Sequence, residues 1–118
     1  MIRPLVIRGP VLTVPEFSEG LARVKLGGKW EYLDRNGKPV IPCRFDRAED
    51  FYGGMAAVGS DDATGDTKWG YIHKTGKLKV RPRFDTASDF KNGLASVCLG
   101  KRCGYINKAG QYVWEPTR

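Results

Sequence analysis

The chain has 118 residues, 41% hydrophobic and 11% aromatic, with a formal net charge of +7. This composition excludes a disordered chain, and no apolar run reaches the ~20 residues of a membrane helix. The apolar opening "MIRPLVIRGPVLTV" is interrupted by Pro4, Arg8, Gly9 and Pro10, which makes it a poor secretory signal. We therefore expect one soluble cytoplasmic domain over residues 1–118, without membrane association.

A ten-residue phrase occurs three times: "KWEYLDRNGK" at 29–38, "KWGYIHKTGK" at 68–77 and "RCGYINKAGQ" at 102–111. Phe17, Phe51 and Phe90 keep the same phase, at steps of 34 and 39 residues. The longer step contains a five-residue insertion inside "GSDDATGDTK", which a surface loop can absorb. Repeats of this length bury their apolar faces by stacking on neighbours, so we predict units at about 17–50, 51–89 and 90–118.

Residues 1–16 precede the first unit and are predicted to be the remainder of an earlier one. Aligning Phe17 with Phe51 places Val6 and Ile7 over "VI" at 40–41. The segment therefore resembles the last strand of a partial preceding unit.

Each complete unit is predicted to contain three strands. "LARVKL" and "WEYLD" alternate their side chains with the two-residue period of a strand. Asn36-Gly37 predicts a hairpin because both residues tolerate positive φ, and Thr75-Gly76 and Ala109-Gly110 mark the equivalent turns. The third strand, "PVIP", ends at Pro42, which cannot donate a ladder hydrogen bond.

The link to the next unit is predicted to be a single helical turn, because Asp46 ahead of Glu49 resembles a capping box. The alignment gives about ten strands in all. The predicted fold is all-β, with three stacked 34–39-residue repeats, each a three-stranded antiparallel meander. An open stack and a closed sandwich or barrel both fit this pattern.

The recurring phrases resemble the WG-repeat (KWG-repeat) family, which is common in bacterial proteins. "FSEGLARV", "FKNGLASV" and "KWGYIHKTGK" carry the resemblance, which extends from Phe17 to about Val113. Glu31 replaces the family's glycine and Cys103 its tryptophan, so only Trp69-Gly70 keeps the complete pair. The resemblance implies an all-β repeat fold and suggests binding rather than catalysis.

The conspicuous side chains within the repeats are interpreted as structural. Trp30, Trp69 and the recurring tyrosines follow the strand period, which favours packing over ligand stacking. His73 is the only histidine and aligns with Asp34 and Asn107, at a polar position beside the turn. A Ser or Cys nucleophile would need this histidine as its base, and the cysteines lack zinc-ligand spacing. We expect no catalytic residues, metal or cofactor.

Cys98 and Cys103 flank "LGKR" at the ends of one predicted hairpin, where they could approach closely enough to bridge. An odd number of cysteines does not form the disulfide framework of a secreted protein, and a reducing cytoplasm keeps thiols free. We therefore expect free thiols at these two positions and at Cys43.

Positive charge is concentrated in the C-terminal half. Residues 1–66 contain nine Lys/Arg and ten Asp/Glu, whereas residues 67–118 contain eleven and three. Alternate residues of "KLKVRPR" would share one strand face. A solvated surface without a specific partner explains this charge equally well. The residues predicted to contact an acidic partner are Lys77, Lys79, Arg81, Arg83, Lys101, Arg102 and Lys108.

Three binding functions compete. Stacked β units present broad rigid surfaces, which favours a protein-binding module of the inhibitor, immunity or adaptor type with an acidic partner protein. Nucleic-acid binding through the basic half is an alternative, although no RRM, OB or KH signature is visible. Glycan or cell-envelope binding by exposed aromatics is a third, which the poor secretory signal disfavours.

Overall fold

The computed structural model describes residues 16–114, with the backbone alone at Pro42, Cys43 and Trp114. These residues form three antiparallel four-stranded sheets and contain no helix, so none within this range could span a membrane. The predicted all-β repeat fold is confirmed. The strand predicted at Val6 and Ile7 lies outside the described residues.

Each sheet is built from strands that are consecutive in the chain. The first contains β1 (Phe17–Ser18), β2 (Leu21–Leu26), β3 (Lys29–Leu33) and β4 (Pro39–Phe45). The second contains β5 (Arg47–Ala48), β6 (Met55–Asp61), β7 (Thr67–His73) and β8 (Leu78–Phe84). The third contains β9 (Thr86–Ala87), β10 (Ala95–Leu99), β11 (Arg102–Ile106) and β12 (Tyr112–Trp114).

The link between units is a short strand, so the predicted helical turn is wrong and each sheet has four strands instead of three. The N–H groups of Asp46 and Glu49 donate to carbonyls of β6, which holds the linker in the sheet. The Asp46 carboxylate does not cap a helix: it accepts the N–H of Asp61 at 2.8 Å and pairs with Lys29. The described residues therefore contain twelve strands, against about ten predicted.

The three predicted hairpins are confirmed, but their turns are longer than two residues. In the first, the strands separate after the Leu33–Pro39 pair, which leaves five residues in the turn. Gly37 has φ of 80°, in the left-handed region. Asp34 closes the turn, because its N–H donates to the Lys38 carbonyl and its Oδ1 accepts the Lys38 N–H, both at 2.9 Å.

The residues aligned with Asp34 act in the same way. His73 is exposed, and its Nδ1 accepts the N–H of Thr75 at 3.2 Å. Asn107 Oδ1 accepts the N–H of Ala109 at 3.0 Å. The prediction of an exposed structural role for His73 is confirmed.

The sheets stack with a displacement of two strands. At the first interface β5 lies against β3 and β6 against β4, and at the second β9 lies against β7 and β10 against β8. No strand of one sheet pairs with a strand of another within residues 16–114, so the stack is open.

Each interface has its own hydrophobic core. The first contains Leu21, Tyr32, Ile41, Phe45, Ala48, Phe51, Ala56, Val58 and Ile72. The second contains Met55, Ala57, Tyr71, Val80, Phe84, Phe90, Ala95, Val97 and Ile106.

A tyrosine joins one sheet to the next at each interface. The fully buried Tyr32 meets Phe51 edge to face, with ring centroids 4.8 Å apart, and its hydroxyl donates to the Glu49 carbonyl at 2.6 Å. Such a pair contributes about 1 kcal/mol beyond its area burial, and the hydrogen bond fixes its orientation. The second interface repeats these contacts with Tyr71, Phe90 and the Ser88 carbonyl.

Gly70 is required by a bulge in the neighbouring strand. Trp69 pairs with Phe84 and Tyr71 with Val80, so three residues of β7 face five of β8. The extra backbone of β8 crosses Gly70, where a Cβ atom would lie 2.2 Å from the Val80 carbonyl oxygen. A side chain here therefore forces the β8 backbone to move.

We predict that Gly70→Ala destabilises the protein by about 3 kcal/mol, because the clash is with backbone rather than with a flexible side chain. Gly93→Ala is the control: Gly93 has a φ of 81° but open space around it, so it should cost only about 1 kcal/mol. Urea unfolding of both variants measures the difference, and equal losses would contradict the close approach at Gly70.

Candidate interaction surface

All seven basic residues predicted to contact a partner are exposed. On β8, Lys79, Arg81 and Arg83 are exposed while Val80 and Phe84 are buried. β8 is an edge strand of the second sheet. The alternation along β8 therefore presents Lys79, Arg81 and Arg83 to solvent at the side of the stack.

Within residues 16–76, five of the nine lysines and arginines pair with carboxylates. The pairs are Arg23–Asp50, Lys29–Asp46, Arg47–Asp61, Lys68–Asp85 and Lys74–Glu19. Within residues 16–114, in contrast, Lys77, Lys79, Arg81 and Lys101 form no ion pair. Among the described residues, Lys25, Arg35, Lys38 and Arg44 also form no ion pair. What distinguishes β8 and the turn before it is three unpaired cations at alternate positions, 77, 79 and 81.

The paired carboxylates also bind backbone, which commits them to the fold. The hydrogen bond from Lys68 and that from the Gly100 N–H hold the pKa of Asp85 below its usual range. Burial alone would raise the pKa of Glu19, but the N–H groups of Gly54 and Gly53 and the charge of Lys74 lower it. All these sites are largely solvated, so each pair contributes little stability.

Arg83 has a structural role that the sequence did not reveal. Its guanidinium donates to the Gly110 carbonyl at 3.2 Å and lies 4.8 Å from the centroid of the Phe84 ring. Arg44, its equivalent in the first unit, donates to Gly76 in the same way. Arg83 therefore ties the second sheet to the third and is less available to a partner than Lys79 or Arg81.

The seven residues do not form a single cluster. Lys77 and Lys108 lie in the β7–β8 and β11–β12 turns, on the same end of the stack. Lys101 and Arg102 lie at the opposite end of β11, at the β10–β11 turn. Five residues of β11 span about 15 Å, so these two form a separate basic group.

Cys98 and Cys103 are joined by a disulfide, with their sulfur atoms 2.09 Å apart. The expectation of free thiols at this pair is therefore wrong. The two cysteines pair directly across the β10–β11 hairpin, so the register brings their side chains together. Cys103 is exposed, and the disulfide closes the turn that carries Lys101.

Alkylation without reductant should leave the Cys98–Cys103 peptide unlabelled, and alkylation after reduction should label both cysteines. Loss of the bond should lower stability by about 2 kcal/mol, the entropy of closing so short a loop. Mass spectrometry and thermal unfolding with and without reductant measure these effects. Labelling of both cysteines before reduction would contradict the disulfide.

Trp30 and Trp69 are half-buried against the two cores, which confirms their role in packing. They also line two clefts on the side of the stack where β5 and β9 lie, and Trp69 and Glu49 line both. Each tryptophan occupies the same cross-strand position in its unit, and Cys103 occupies it in the third. The equivalent pairs are Lys25–Trp30, Gly59–Trp69 and Cys98–Cys103.

The family model for the WG containing repeat matches residues 14–30, 32–62 and 69–103. The chain belongs to the WG-repeat family. The complete motif, Trp69-Gly70, places its tryptophan at the clefts and its glycine under the β8 bulge. No curated protein and no solved structure matches this WG-repeat chain.

Proposed function

We propose that this WG-repeat protein is a non-catalytic interaction module that binds an acidic surface of a partner protein, as an inhibitor, immunity protein or adaptor. The observation that carries the proposal is the uncompensated charge of Lys77, Lys79 and Arg81 on and beside the exposed edge strand β8. Cations on a rigid sheet edge steer an acidic partner and set its association rate more than its final affinity.

The commitment of the polar residues to the fold supports binding over catalysis. His73 closes a turn, and Asp46 and Asp85 hold backbone and lysines. Burial raises the pKa of Tyr71, whose hydroxyl donates to a carbonyl of the next sheet. Asp46, Asp85 and Tyr71, whose pKa values are shifted, therefore serve structure.

We also propose that the protein acts in the cytoplasm. The Cys98–Cys103 disulfide weighs against this location, since such bonds persist mainly in oxidising compartments. Fractionation of the native host, with rapid alkylation to record the thiol state, tests the location.

The function is tested by capturing partners from the native host and measuring association with the identified protein. Lys79→Glu with Arg81→Glu should slow association about tenfold at low salt, because it reverses the steering charge. Arg83 is left intact, since it bonds to Gly110.

The matched control is Arg35→Glu with Lys38→Glu, an equal change of net charge on exposed residues of the first unit. It should change the association rate about twofold or less, as expected of net charge alone. Equal slowing by both pairs, or no slowing by the first, would contradict an acidic-partner surface at β8. If the ligand is a nucleic acid, equilibrium affinity will instead fall log-linearly with salt.

A further inference from the structure

The two tryptophan-lined clefts are related by the repeat. The Trp30 cleft lies between the first and second sheets, and the Trp69 cleft lies between the second and third. Each has a volume of about 420 Å³. In each, a tryptophan faces the short strand that begins the next unit, β5 or β9. Differences between the clefts are therefore differences in side chains on one shared frame.

An arginine of the chain itself lines the Trp30 cleft and lies against its tryptophan. The Arg23 guanidinium lies 5.2 Å from the centroid of the Trp30 ring, and its Nη1 donates to the Ala48 carbonyl at 2.5 Å. Its Nε lies 3.1 Å from Asp50 Oδ1, and Nη1 lies 3.9 Å from Glu49 Oε1. An aromatic face, a carbonyl and two carboxylates thus hold one guanidinium.

The Trp69 cleft keeps most of this frame but lacks the arginine. Trp69, Ala87 and Asp89 correspond to Trp30, Ala48 and Asp50. The position of Arg23 is taken by Ala57, which is buried and too short to cross the interface. Lys25 and Arg47, the other cations of the first cleft, correspond to Gly59 and Thr86.

Asp89 is therefore a carboxylate without its cation. Its equivalent, Asp50, pairs with Arg23, whereas Asp89 forms no ion pair among residues 16–114. Asp89 is exposed, and partial desolvation of its carboxyl group, with the nearby charge of Asp50, raises the pKa of Asp89. Glu49 lines both clefts and lies 3.9 Å from Arg23, so a cation in the Trp69 cleft would meet the Asp89 carboxylate, the indole and a Glu49 carboxylate shared with Arg23.

We propose that the Trp69 cleft binds an arginine side chain of a partner protein, in the place that Arg23 takes in the Trp30 cleft. A planar guanidinium stacks on an indole and donates to a carbonyl and a carboxylate together, which an ammonium group does less well. The site uses no residue of the β8 surface, so its test is independent of the test of the acidic-partner proposal.

The test uses the peptide acetyl-Gly-Arg-Gly-amide, followed through the indole N–H signals of the full chain in two-dimensional NMR. Titration should shift the Trp69 signal saturably. Acetyl-Gly-citrulline-Gly-amide, which has the same shape without charge, should shift it at least about threefold less at equal concentration, and the lysine peptide should fall between them.

Asp89→Asn should weaken arginine-peptide binding about threefold or more, the effect of one partly solvated ion pair. Glu49→Gln is a second variant at the same cleft with a similar expectation. Glu16→Gln is the matched control, because Glu16 holds the position of Asp89 in the first unit, and it should bind the peptide unchanged.

Arg23→Ala should create a second arginine-binding site, at the Trp30 cleft. Removing the internal guanidinium should let the arginine peptide shift the Trp30 signal, which it should not reach in the unaltered chain. A Trp69 signal that ignores the arginine peptide, responds equally to citrulline, or is unaffected by Asp89→Asn would overturn the site. No new response at Trp30 in a folded Arg23→Ala variant would overturn the role of Arg23 as its template.

Discussion

The structure depends on one contact, made twice: a buried tyrosine that crosses from one sheet to the next. Each sheet has four short strands, and one of its edge strands has only two residues. A sheet of this size cannot bury enough apolar surface alone. Tyr32 and Tyr71 supply the additional buried apolar surface. They also fix the orientation of adjacent sheets, because each ring must contact a phenylalanine while its hydroxyl donates to a carbonyl. Burial raises the pKa of both phenols, so the hydroxyls remain protonated donors.

Stacking in this way leaves function to the places where the repeats differ. The equivalent tyrosine of the last unit, Tyr105, is 47% exposed, and the third tryptophan position holds a disulfide instead. Ala57, at the position aligned with Arg23, leaves the Trp69 cleft without an internal cation, while basic residues on β8 charge one edge. A scaffold made of equivalent units can therefore carry the two proposed binding features without altering either core.

The two-residue alternation of side chains and the turn glycines were enough to predict the strands and hairpins. Both signals arise from neighbouring residues in the chain, so they can be recognised in the sequence alone. The strands β5 and β9 were not predicted, because a strand of two residues is too short to show an alternating pattern. The spacing of Asp46 and Glu49 also resembles the capping box of a helix. The exposure of β8 followed from its pattern, but the hydrogen bond from Arg83 to Gly110 joins two units, and no sequence period reveals it. The aligned repeats show that Ala57 takes the position of Arg23. Only the structure shows that Arg23 reaches across the interface to the next sheet, so the consequence of this difference could not be predicted.

Hydrogen exchange in Tyr71→Phe and Tyr32→Phe tests most directly whether the tyrosines hold independent interfaces. Removing the Tyr71 hydroxyl weakens the second interface, so amides of β10 and β11 should lose more protection than those of β2 and β3. Tyr32→Phe should reverse that order, while β6 and β7, covered on both faces, remain the slowest to exchange in both variants. Equal loss of protection in all three sheets would show one cooperative core, and would contradict a stack joined by separate tyrosine contacts.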